Sequence, residues 1–182
     1  MESKLFTPVT FGPLTLRNRT IRSAACESMC PGNAPSDMLL NYHRSVAAGG
    51  IGMTTVAYAA VTRSGLSFDR QLWMRPEIIP GLRRLTDAVH AEGAAAGIQL
   101  GHCGNMSHKS ICGCTPVGAS GGFNLYSPTF VRGLRADELP ELARAYGRSV
   151  NLAREAGFDA VEIHAGRGVV VGGFLSPAGD AR

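Results

Sequence analysis

Several side chains at the ends of short apolar runs have the chemistry of a redox or carbonyl-binding site. Gln99 closes the run Ile98-Gln99-Leu100-Gly101-His102, and a side-chain amide offers both a donor and an acceptor to the edge of a heterocycle. His164 closes Val161-Glu162-Ile163-His164, where period-two alternation puts Glu162 and His164 on one face. An imidazole there donates a hydrogen bond to negative charge developing on a substrate. Cys26 and Tyr58 follow two further apolar runs. A loop-satisfying polar pair at Gln99 and a satisfied core histidine at His164 are the plainer alternatives, and spacing alone leaves both open.

Cys103, His108, Cys112 and Cys114 are of the right types to ligate zinc. Their spacing matches no common ligand motif, so no metal site is expected. The five cysteines are odd in number and read as free thiols in a reducing compartment, which points to the cytoplasm.

The elements that must position these residues recur as a unit: an amphipathic helical stretch, a glycine stop and a short buried strand. Ser36 caps a helix over 37–48 that stops at Gly49-Gly50 and feeds a strand over 51–57. A helix over 80–92 stops at Gly93 and feeds 95–100. A third, over 136–156 with Asp137 and Glu138 in its first turn, stops at Gly157 and feeds 160–164. A strand over 20–25 precedes them, and a Gly12-Pro13 turn between 9–11 and 14–16 reads as a hairpin.

Strands alternating with helices imply a parallel sheet, either doubly wound or a (β/α) barrel. No Gly-x-Gly-x-x-Gly follows the first strand, which disfavours the dinucleotide-binding alternative. The stretch 101–135 reads as one long irregular loop, and such loops are commonly functional. In a barrel the active site forms at the C-terminal strand ends, where Cys26, Tyr58, Gln99, His102 and His164 fall.

The chain has 182 residues, 45% apolar and 18% charged, which suits one globular domain. A formal charge of +4 comes from scattered Lys and Arg with no run of five, so a nucleic-acid face is not expected. Met1-Glu2-Ser3-Lys4-Leu5-Phe6 lacks the charge pattern of a signal peptide, and no window reaches the roughly 18 apolar residues of a membrane span. Neither a membrane nor a nucleic acid is therefore an expected partner.

Taken together, the motifs resemble the old yellow enzyme, or NADH:flavin oxidoreductase, family from end to end. Leu5-Phe6-Thr7-Pro8 through Leu14-Thr15-Leu16-Arg17-Asn18-Arg19 is similar to that family's N-terminal hairpin, and Gly49-Gly50-Ile51-Gly52 to the entry of its second strand. Ala88-Val89-His90-Ala91-Glu92-Gly93 resembles its second helix. Gln99-Leu100-Gly101-His102-Cys103-Gly104 matches its Gln-Leu-x-His-x-Gly segment. The run from Ala156-Gly157-Phe158 to Glu162-Ile163-His164 matches its fourth-strand signature.

The resemblance implies a (β/α)8 TIM-barrel type fold, truncated to about the first four β/α units behind an N-terminal β-hairpin. Residues 1–182 would then form the N-terminal half of one FMN-binding domain. It implies FMN as cofactor, NADH or NADPH as reductant and a small-molecule electron acceptor such as an activated alkene. Ala24, Ala25 and Cys26 would lie along the flavin, Tyr58 near a site beside it where the family keeps a small residue, and Gln99 at its pyrimidine edge. His164 would polarise a substrate carbonyl, joined by Arg167 at the second carbonyl-binding position.

The chain departs from the family pattern after His164. His164-Ala165-Gly166-Arg167-Gly168-Val169 stands where the family reads His-x-x-His-Gly-Tyr or His-x-x-Asn-Gly-Tyr, and Val169 has no proton to give. Gly173 replaces a common glutamine, and Asp180-Ala181-Arg182 an Asn-x-Arg. An exposed half sheet is expected to self-associate or to require a C-terminal barrel half. The alternative is a catalytically silent half-barrel remnant or assembly module that binds no flavin.

Overall fold

The structure, a computed structural model, describes residues 3–125 and 127–180. Met1, Glu2, Ala181 and Arg182, on which the readings of the first residues and of Asp180-Ala181-Arg182 partly rest, lie outside them. Strands β1 (Val9–Phe11) and β2 (Leu14–Leu16) form the expected hairpin, with Val9 opposite Leu16 and Phe11 opposite Leu14. Gly12 turns it at φ 54°, a left-handed conformation that suits glycine.

After β3 (Ile21–Arg22) the long elements alternate as α1 (Asp37–Ala48), β4 (Met53–Ala60), α2 (Ile79–Ala91) and β5 (Ala95–Gly101). Ser36 caps α1, its hydroxyl accepting from the Leu39 amide at 3.2 Å and donating to the Met29 carbonyl at 2.6 Å. Glycines at 50, 93 and 157 take φ of 93°, 75° and 88°, so each helix reverses into its strand through a conformation costly to other residues.

The segment expected to be irregular instead carries α3 (Lys109–Cys112) and a small sheet of β6 (Val117–Gly118), β7 (Gly122–Asn124) and β8 (Thr129–Gly133), ordered β6-β8-β7. These strands are too short to show period two, and glycine permits their closeness. A Cβ on Gly133 would stand 3.0 Å from the Gly121 amide nitrogen. The chain then forms α4 (Leu139–Glu155), β9 (Ala160–Ile163) and α5 (Val170–Leu175). A 3-10 turn over Ala136–Glu138 precedes α4. Glu138 closes that turn by accepting from the Arg135 amide and, on both oxygens, from Arg132.

The central sheet is parallel, in the order β3-β4-β5-β9. On β5, Ala96, Ile98 and Leu100 face the helices and are fully buried with Val56, Leu39, Leu82, Leu85 and Val89, each large side chain contributing about 2 kcal/mol. Gly97 and Gln99 point to the opposite face. β3 is shorter than the strand expected over 20–25. Past Arg22 the chain leaves the ladder, and the Arg22 guanidinium itself takes the Thr55 carbonyl at 2.7 Å.

At the N-terminal ends of the strands, Arg17 donates to the carbonyls of Ile51, Glu92 and Ala47 at 2.9, 2.8 and 2.5 Å. Ala47 ends α1 and Glu92 follows α2, so one cation meets two helix C-termini where the dipole favours it. We predict that Arg17→Ala lowers unfolding free energy by roughly 3 kcal/mol, read from the urea midpoint. An unchanged midpoint would show that the hairpin is not tied to the sheet through this residue.

Candidate active site

The C-terminal strand ends open on one cleft of about 790 Å³, within the ordinary range for a cofactor or small-molecule site. Ala24, Ala25, Cys26, Tyr58, Gln99, His164 and Arg167 all line it. Residues from four separate stretches of sequence are thus brought together by parallel pairing.

The floor comes from a defect in the ladder. β4 and β5 are in register to Val56↔Ile98, then shift, resuming at Ala59↔Leu100. Such a bulge re-aims the residues inside it, here Ala57 and Tyr58. The Ala57 amide donates to the carboxylate of Glu27 at 3.1 Å, and the Tyr58 carbonyl accepts from the Gln71 side chain at 3.0 Å.

Glu27 is the centre of a buried polar network. Its carboxylate also receives Arg22 at 2.8 Å and His43 Nε2 at 3.1 Å, while the side chain is only 5% exposed. His43, wholly buried, reaches Thr54 Oγ1 through Nδ1 at 2.8 Å. A buried carboxylate persists only when paired and hydrogen-bonded in this way. Sequence reasoning missed Glu27 and His43. The available signal was a carboxylate next to the cleft strand and a histidine at a core-facing position of α1.

Tyr58 lies across β5. A Cβ on Gly101 would stand 2.7 Å from its ring, and its hydroxyl donates to the Gly65 carbonyl at 2.6 Å. Burial pushes its hydroxyl pKa upward, so it stays protonated. Its ring is 5.7 Å from that of His164, tilted by 44°. Burial first, and then the Arg167 guanidinium, lower the His164 pKa, with Glu162 acting the other way. A neutral imidazole follows at neutral pH, one nitrogen carrying a proton to donate.

Gln99 sits opposite Glu162 in the β5–β9 register, and its amide nitrogen donates to the Glu162 carboxylate at 2.5 Å. Its carbonyl oxygen is left to accept. Arg167 has φ 55° and Ser28, also on the cleft wall, φ 52°. Left-handed conformations outside glycine cluster where function over-determines the backbone. Val169 is buried on the same wall.

His102, also at a strand end, does not line the cleft. It is 2% exposed; its Nδ1 accepts from the Gly104 amide at 3.1 Å, so the proton sits on Nε2, 3.1 Å from Ser64 Oγ. It pins the loop after β4 to the loop after β5. No group of three or more potential metal ligands occurs among the described residues, and no helix there is long and apolar enough to cross a membrane.

A parallel sheet with helices between its strands, and small residues, an amide and an imidazole converging at the C-terminal strand ends, is the arrangement by which (β/α)-barrel proteins build their sites. The chain belongs to the NADH:flavin oxidoreductase / NADH oxidase family, which residues 4–182 match. A 4,4'-dithiodibutanoate disulfide reductase of Rhodococcus erythropolis is 42% identical over 95% of the chain and 43% of that protein. An NADPH dehydrogenase of Bacillus subtilis is 33% identical, over all of the chain and 54% of its own length.

The old yellow enzyme homologue from Zymomonas mobilis superposes with a TM-score of 0.91 at 26% identity, over 99% of the chain and 53% of that structure. Morphinone reductase in complex with tetrahydroNAD gives 0.93 at 26%, over 100% and 54%. The chain therefore spans about half the length of the relatives it matches, and its fold is that of about half an old yellow enzyme.

The buried His102 yields a pH prediction. Desolvation lowers its pKa from 6.5 to about 4. Between those values the unfolded chain takes up a proton that the folded chain refuses. Stability is thus full above about pH 6.5 and falls as the pH drops toward 4, by on the order of 3 kcal/mol. Urea titrations across this range should show the loss in the native chain and a much smaller one in His102→Gln; parallel slopes would contradict the assignment.

Proposed function

We propose that this chain is the ring-side half of an FMN-dependent NAD(P)H oxidoreductase that passes hydride to a small-molecule acceptor. The observation that carries the reading is the convergence of Ala24, Ala25, Cys26, Tyr58, Gln99, His164 and Arg167 on one cleft at the C-terminal strand ends. The fit to a flavin rests on that cleft's volume, the small side chains of Ala24, Ala25 and Ala57 in its lining, and the Gln99 amide beside them. FMN, when bound, supplies two-electron hydride chemistry between nicotinamide and acceptor.

The residues then divide the work. Ala24, Ala25 and Cys26 would hold the flavin ring, their small side chains leaving it room, and the Gln99 carbonyl would be free to accept from a ring N–H. Neutral His164 donates a hydrogen bond to a carbonyl or phenolate oxygen of the acceptor, withdrawing charge from it. Arg167 adds a fixed positive charge and several donors at the second position, which favours an acceptor carrying negative charge. The relative that acts on 4,4'-dithiodibutanoate, a dianion, is in keeping with this. Val169 supplies no proton, so any proton reaching substrate carbon comes from another donor or from water.

The domain reading follows: residues 1–182 form the first four β/α units of an eight-stranded barrel. β3 and β9 are edge strands of the sheet, and Ile163 on β9 is 45% exposed. Beside it Leu139, Leu142, Tyr146, Val171 and Phe174 form an apolar groove. A complementary barrel half would pair the edges and fill the groove; self-association would cover the same surface less completely.

Absorbance titration with FMN, followed by equilibrium dialysis, tests the reading. We expect a shifted visible band, one flavin per chain at saturation, and about tenfold weaker binding in Gln99→Ala. If flavin dialyses away completely, both with the chain alone and with a complementary half supplied, the silent-scaffold alternative replaces this one.

A further inference from the structure

The cysteines of the loop after β5 hold chemistry that the cleft does not use. Cys112 ends α3 and is buried, 3% exposed, while Cys114 lies on the surface. Between them Gly113 takes φ 75°, folding the chain back so that the two sulfurs stand 3.8 Å apart. The Cys114 thiol donates toward the Cys112 sulfur, and the Cys112 thiol donates to the Cys114 carbonyl at 3.2 Å. Arg63 reaches the same turn, its guanidinium 3.7 Å from where a Gly113 Cβ would be.

We propose that Cys112-Gly113-Cys114 is a redox-active dithiol that reduces small-molecule disulfides by thiol–disulfide exchange. An exposed nucleophile with a buried partner behind it, joined by a residue free to turn, is what such exchange requires. Burial first, and then the Cys112 sulfur, raise the Cys114 thiol pKa above its ordinary value, with Arg63 and Arg132 acting the other way, so exchange should quicken as the pH rises and the thiolate forms.

Cys114, as thiolate, attacks one sulfur of R–S–S–R; that bond breaks, and the departing RS⁻ takes a proton from water. Cys112 gives its proton to solvent, attacks the Cys114 sulfur of the mixed disulfide and expels the second RS⁻. The protein pair is oxidised by two electrons and the small disulfide reduced by two. The inference is independent of the flavin reading, because neither sulfur lines the cleft.

The test is incubation of the native chain with glutathione disulfide, then alkylation, trypsin digestion and mass spectrometry. Cleavage after Lys109 and Arg132 puts both cysteines in one peptide, apart from Cys103. The expected product is that peptide lacking two hydrogens and carrying no glutathione. Cys112→Ser should instead accumulate glutathione on Cys114, and Cys114→Ser should leave the peptide unmodified because Cys112 is buried. Far-UV circular dichroism confirms that each variant is folded. A native peptide that stays reduced, retains glutathione or is linked to the Cys103 peptide would overturn the proposal.

Discussion

The shape of the cleft depends on one buried carboxylate. Glu27 draws together the Arg22 guanidinium, the His43 imidazole and the Ala57 amide, which belong to β3, α1 and β4. Burying that charge is tolerated only because every approach to it is a donor. The bond to Ala57 takes an amide out of the sheet and holds open the bulge at Ala57 and Tyr58. Arg22, bonded to both Glu27 and Thr55, ends β3 early and turns Ala24 to Ser28 across the strand ends. Without that network the ladder would be expected to run straight and the floor of the cleft to close.

Much of the scaffold was legible because local and global signals agree. Ser36 before an amphipathic run, glycine stops at 50, 93 and 157, and a Gly-Pro turn each act within a few residues. The observed hairpin and α1 accordingly coincide with expectation, and the strand expected over 95–100 is extended by one residue. The cleft residues could be listed because parallel strands all end at one side, so the last residue of each run is a candidate without knowledge of the packing.

What sequence reasoning missed depends on distant contacts. Glu27 looks like any surface carboxylate until His43 and Arg22 are folded against it. His102 shares a strand end with Gln99 yet turns into the protein, because Gly65 leaves room for its ring; a Cβ there would stand 2.9 Å from it. The small sheet within 101–135 rests on glycine-to-glycine closeness that no hydrophobic period announces. The deciding contact comes from another element of the fold, as with His43 of α1 for Glu27 and Gly65 for His102, or lies in a strand too short to show alternation.

The same topology explains why the cleft and the apolar groove lie so near each other. β9 carries Glu162, with the cleft-lining His164 just beyond it, while Ile163 between them faces the groove. Covering the groove would therefore stiffen the strand that presents the donor side chains, linking completion of the sheet to order in the site.

The central claim is that a flavin lies on the bulge and the strand ends around it. Hydrogen–deuterium exchange of the chain with and without saturating FMN, with the complementary half supplied if binding requires it, tests this most directly. The account predicts slowed exchange confined to the amides of 24–28, 57–58, 99–103 and 162–169. Protection elsewhere, with these segments unchanged on a chain shown to hold the flavin, would contradict it.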